Sequence, residues 1–179
     1  RDAFVAGLQR ARVTALAAEK RLNTPVVHNN ISDLRNVIPN LVYQKGAWVL
    51  HMLRGQIGTD NFWKGIRAYY QAHRDGNAAT DDLRRAMEEA SGQELRWFFD
   101  QWLHRNLSPV VTATWRYDAS AGQVVIDMAQ TPAGEPYRMR IEVGLVADSG
   151  GTPKVTTIEM TQATQRFTIP ATAAPRELL

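Results

Sequence analysis

The sequence predicts an α+β chain, an N-terminal all-α segment followed by a small antiparallel β-sandwich, on three observations. Apolar residues recur at helical spacing from the N-terminus to about Arg105. After Leu107-Ser108-Pro109 the period drops from about 3.6 to 2, the mark of half-buried strands. No helical stretch separates the strand-like segments that follow, so they are expected to pair antiparallel in two layers. The boundary is placed there, giving a helical part, 1–107, and a sandwich, 108–179.

Phe4, Leu8, Ala11, Ala15 and Ala18 mark a first amphipathic helix, which Asn23-Thr24-Pro25 ends. A loop is expected from Asn23 to about Asn40. Tyr43 to Leu53 is apolar nearly all round, as a helix enclosed by neighbours reads. Gly58-Thr59-Asp60 opens a helix carrying Phe62, Ile66, Tyr69, Tyr70 and His73, and Asp75-Gly76-Asn77 turns the chain. Thr80 is expected to cap the next helix, with Asp81 and Asp82 favoured at the positive end of its dipole. Leu83, Ala86, Met87 and Ala90 form its apolar face, and Ser91-Gly92 stops it. Ser91 and Glu94 have capping-box spacing before a helix bearing Leu95, Phe98, Phe99 and Trp102.

In the second part Val111, Ala113, Trp115 and Tyr117 alternate with polar residues, as do Val124, Ile126 and Met128, with Ala119 to Gly122 between the two runs. Tyr137 to Leu145 alternates again, Gly150-Gly151 is expected to turn into Lys154 to Met160, and a last strand covers Arg166 to Ile169.

Composition bounds the function. Hydrophobic residues at 44% and charged residues at 22% are those of a globular protein that buries a core. The longest apolar run, Gly46 to Leu53, is far short of the ~20 residues that a membrane-spanning helix needs. Without cysteine there is no thiolate nucleophile, disulfide or thiolate metal cluster. The net charge of +3 comes without a basic run that could follow phosphates, so nucleic acid is not an expected partner. The chain opens on Arg1 and closes on Glu177-Leu178-Leu179, and it is expected to be an excised piece of a longer protein.

Candidate chemistry is sparse. His28, His51, His73 and His104 lack ligand spacing, so no metal is assigned to this chain. Asp81-Asp82 and Glu88-Glu89 read as solvated helix carboxylates, and Phe98, Phe99 and Trp102 read as core. One segment remains. Asn40 to Ala47 puts the phenol of Tyr43 and the ammonium of Lys45 near the start of an otherwise buried helix, where a Tyr O–H could serve a developing oxyanion. A phenol that merely reaches the surface or a backbone carbonyl explains the same residues.

Tyr43-Gln44-Lys45-Gly46-Ala47, then Met52-Leu53-Arg54, Ile57-Gly58, Phe62, Tyr69, Gly76 to Thr80, Asp82-Leu83, Ser91-Gly92, Phe98-Phe99 and Gln101-Trp102, closely resemble the gluzincin zinc aminopeptidases related to alanyl aminopeptidase N and leukotriene A-four hydrolase. The resemblance runs from about Pro25 to Leu107, and more weakly through Thr114-Trp115-Arg116-Tyr117 and Gln123-Val124. It implies the last helices of a thermolysin-like catalytic domain plus the following β-sandwich. It also implies peptide as substrate and zinc as the parent's cofactor. The H-E-x-x-H helix and the further Glu that hold zinc in that family are not in this chain. Tyr43 falls on the family tyrosine that stabilises the tetrahedral oxyanion. Gln44 departs from the acid common there, and the motif that binds a substrate's amino group is absent, so removal of N-terminal residues is implied by family alone. Two rival expectations stand beside this one: a noncatalytic helical-plus-sandwich interaction module, and carbohydrate binding through Trp115 and Tyr117. The second is disfavoured because alternation puts both rings on the core face.

Overall fold

The computed structural model describes residues 2–29, 40–131, 134–147 and 151–179. The expected loop to Asn40 falls largely outside them, as do Gly150 of the expected turn and the side chain of Phe4. The chain divides into two compact units, Arg1–Ser108 and Pro109–Leu179.

The first unit is helical: α1 (Asp2–Leu22), α2 (Asn40–Ile57), α3 (Thr59–His73), α4 (Thr80–Ser91) and α5 (Arg96–Leu103). α1 closes on Asn23, whose φ of 46° is the left-handed region that Asn tolerates and whose N–H donates to the Glu19 carbonyl at 2.9 Å. α2 begins three residues earlier than its apolar run suggests. Leu41, Lys45, Val49, Leu53 and Ile57 form one buried stripe, and burying Leu41 draws the helix back to Asn40. Gly65 lets α3 lie against α4, since a Cβ there would stand 2.6 Å from the Met87 sulfur and 3.3 Å from the Ala86 carbonyl oxygen.

Two caps differ from the local rule. Thr80 is the first residue of α4, not its cap; the cap is Ala79, because the Asp82 carboxylate reaches back to accept from the Ala79 N–H at 2.8 Å. That bond, helped by Arg85, holds the Asp82 carboxyl below its ordinary pKa. The Ser91–Glu94 capping box does not form. Ser91 ends α4 with its hydroxyl donating to the Met87 carbonyl at 2.7 Å, and α5 is capped from farther back. There the Glu88 carboxylate accepts from Leu95 N–H at 2.9 Å while also holding Arg84 at 2.7 Å.

The second unit holds β1 (Val110–Asp118), β2 (Gln123–Thr131), β3 (Met139–Val146), β4 (Lys154–Met160), β5 (Thr164–Pro170) and β6 (Glu177–Leu178). They form two antiparallel sheets, ordered β1-β2-β5 and β4-β3-β6. Val124, Ile126, Met128 and Ile169 of the first sheet and Val143, Leu145 and Met160 of the second make one apolar core.

Tyr137, expected to start a strand, precedes β3 and is fully buried. Its backbone is paired by a side chain instead: Tyr137 N–H donates to Gln130 Oε1 at 2.9 Å, and Gln130 Nε2 donates to the Tyr137 carbonyl at 2.8 Å. Gln130 Nε2 also donates to the Gln162 carbonyl at 3.0 Å, so one amide binds two loops to the end of β2. The placing of Trp115 on the core face is also corrected. β1 is a sheet edge exposed along most of its length, Trp115 is 41% exposed, and of the expected face only Tyr117 packs on the core.

Candidate functional site

The candidate segment is the first two turns of α2. A helix turns about 100° per residue, so residues two apart project on nearly opposite sides. Tyr43 and Lys45 do so: the Tyr43 side chain is 65% exposed, whereas Lys45 is one of the most deeply buried polar residues of the unit. Ala47 and Leu50 continue the exposed side that Tyr43 begins. Because α2 starts at Asn40, Tyr43 stands at the end of the first turn, where the helix dipole acts less directly than at its start.

Lys45 enters a polar pocket built by α1 and the end of the unit. Its Nζ lies 2.7 Å from Glu19 Oε1, with both side chains 4% exposed, and 3.4 Å from the Arg105 carbonyl oxygen. The Glu19 carboxylate is also held by Ser108, whose hydroxyl donates to Oε1 at 2.9 Å and whose N–H donates to Oε2 at 3.1 Å. A further tie joins the same helices, from Trp48 Nε1 to the Leu8 carbonyl at 2.9 Å. Glu19 is a functional candidate that the reading of motifs misses. Its signal is nonetheless in the sequence: Glu19 lies four residues after Ala15 and beside Ala18 on the buried side of α1, and Lys45 interrupts the apolar stripe of α2. Two opposite charges, each on an apolar stripe, call for each other.

The remaining candidates take ordinary places. His51 packs edge-on against Trp48, His73 lies tilted against Tyr69, and His104 ends α5. Asp81 and Glu88 both pair with Arg84, raising its already high pKa. Phe98, Phe99 and Trp102 are core. Among the described residues no three His, Asp or Glu side chains come together where they could hold a metal ion, so those residues do not fit a zinc site of their own. Nor is any helix of the described residues long and apolar enough to cross a membrane.

Comparison with known proteins gives the helical unit a family. Residues 5–102 match the peptidase family M1 domain. Aminopeptidase N of Escherichia coli is 31% identical over 159 residues, 80% of this chain and 18% of that protein. Aminopeptidase N of Lactococcus lactis is 42% identical over 73 residues, 41% of this chain and 9% of that protein. Legionella pneumophila aminopeptidase A, solved with aspartic acid, superposes with a TM-score of 0.70 at 20% identity, over 80% of this chain and 17% of its own. The chain thus spans less than a fifth of these relatives. It belongs to peptidase family M1.

Proposed function

We propose that this chain is the part of a zinc-dependent aminopeptidase that supplies the oxyanion donor, Tyr43, while the zinc ligands lie in residues outside it. The observation that carries this is the exposed phenol of Tyr43 on a helix whose other side is anchored by buried Lys45. Exposure alone does not single it out, since Tyr70 is as open; its place on the Tyr-x-Lys-Gly segment of the family resemblance does.

The work of this chain in peptide hydrolysis is then electrostatic. As water adds to the scissile carbonyl, negative charge collects on its oxygen, and a neutral phenol O–H set in place beforehand donates to that oxygen without reorganising. The proton stays on the phenol, so Tyr43 stabilises charge and is not consumed. The 179-residue chain alone lacks the zinc ligands and is expected to be inactive. The first unit is then the end of the catalytic domain and the second the sandwich that follows it. The test is Tyr43→Phe in the full-length protein, with turnover on an aminoacyl reporter and zinc content measured together. Lost turnover at full zinc supports the reading, and retained turnover overturns it. The noncatalytic module is decided by the same assay, since it predicts no hydrolysis by the unaltered full-length protein.

A further inference from the structure

A donor aimed at charge that exists only in the transition state must be placed to within about 0.5 Å. Tyr43 has little on its own side of α2 to place it, since its side chain is mostly in solvent. The apolar stripe of α2 holds the helix to the bundle through a non-directional force, which defines its rotation and height less sharply than a charge-assisted hydrogen bond does. The ion pair buried at 2.7 Å is such a bond.

Such a pair is a poor source of net stability, as two well-packed apolar residues would often do as well. What it supplies is direction, and here the direction is inherited from backbone. The Ser108 N–H and hydroxyl orient the Glu19 carboxylate; Glu19 with the Arg105 carbonyl orients Lys45; and Lys45 is two residues from Tyr43 on one rigid helix.

We propose that Glu19 is a positioning residue for the Tyr43 phenol, acting through Lys45 to set the rotation and height of the first turns of α2. This rests on Tyr43 being the oxyanion donor. Glu19 touches no reacting atom, so its effect should vanish when there is no phenol to place.

The test is a kinetic cycle in the full-length protein with Glu19→Gln, Tyr43→Phe and the pair. Glu19→Gln is expected to lower kcat by about 10-fold with KM changed less than about 2-fold, and to cost less than about 2-fold more in the Tyr43→Phe background. An equal loss in both backgrounds, or no loss in either, overturns the proposal while leaving Tyr43 in its role. A silent Tyr43→Phe instead overturns the functional reading beneath it. If Glu19→Gln does not fold, Ser108→Ala keeps both charges and removes one bond to the carboxylate; about a 3-fold loss of kcat, again absent without the phenol, supports the proposal, and an equal loss in both backgrounds overturns it. Hydrogen exchange on the 179-residue chain gives a readout without activity. Glu19→Gln, or Ser108→Ala in its place, should speed exchange of the Gln44–Ala47 amides about 10-fold or more relative to those of Met87–Ala90 in α4. Equal acceleration in both helices is general destabilisation and overturns it.

Discussion

Glu19 and Lys45 meet at 2.7 Å, out of water, and among the described residues the Glu19 carboxylate is held by Lys45 and Ser108. The pair therefore has a stability signature of its own. In the 179-residue chain, Lys45→Met leaves Glu19 buried and unpaired and should cost about 3–5 kcal/mol. Glu19→Gln with Lys45→Met removes both charges at nearly constant volume and should recover most of that loss. Urea unfolding monitored by circular dichroism measures both, and equal midpoints for the single and double variants would contradict the pairing.

Tyr43→Phe separates chemistry from folding because it removes one O–H and no packing. In the full-length protein the expected loss is about 100-fold to 1000-fold in turnover, or about 2.7–4 kcal/mol, with melting temperature and zinc content nearly unchanged. Turnover above about half of the unaltered value would correspond to less than about 0.5 kcal/mol and return Tyr43 to a surface phenol.

Two glycines in neighbouring helices should answer oppositely to alanine. At Gly55 of α2 a Cβ meets nothing within 4 Å, so Gly55→Ala is expected to stabilise by about 0.5–1 kcal/mol through helix propensity. At Gly65 the Met87 sulfur and the Ala86 carbonyl stand in the way, and overpacking of about 1–3 kcal/mol outweighs that gain. Thermal melts of the two variants should move in opposite directions.

Gln130→Leu keeps the size of the side chain and strips three hydrogen bonds from the loops at Tyr137 and Gln162. With unsatisfied buried groups costing about 1–3 kcal/mol each, a loss of at least about 2 kcal/mol is expected. Exchange protection at the Tyr137 amide should fall further than elsewhere in the second unit.

Asp127 and Arg166 sit directly opposite on β2 and β5, and the guanidinium holds the Asp127 carboxyl below its ordinary value. Being lowered in the folded state, this group contributes stability that is fully present above the unfolded value of about 3.9 and is lost as pH falls through the folded one. Asp127→Asn should therefore be less stable than the unaltered chain at neutral pH, with the gap closing in acid. A gap unchanged down to about pH 2 would contradict the sign.

The change of period at Pro109 is legible because it reports which side chains face inward, and burial decides both helix and strand. What local rules miss is settled by residues farther away. Ser91 and Glu94 have the spacing of a capping box, but Ser91 is still the last residue of α4, with its hydroxyl on the Met87 carbonyl, and α5 does not begin until Arg96. Alternation sends Trp115 and Tyr117 to the same face, but only Tyr117, toward the end of β1, reaches the core. Tyr137 has the alternation of a strand, yet a glutamine amide takes its backbone bonds. Of the candidate site, Tyr43 is legible only through family likeness, since one exposed phenol has no pattern. The Glu19–Lys45 pair is legible in principle, as two charges misplaced on apolar stripes, but pairing them requires knowing that α1 lies on α2.

The open flank of β1 has a consequence for handling the chain. Nine residues of edge carry a row of backbone donors and acceptors with no strand beyond them among the described residues, and Val110, Val111 and Trp115 make that ribbon partly greasy. Any extended segment of matching spacing completes the ladder, and another copy of β1 is always in the tube. Self-association by this route is a matter of mass action, so dilution suppresses it and a charge at Val111 blunts it. Solubility measured on the chain alone therefore reports the bare rim of one sheet as much as the quality of its fold.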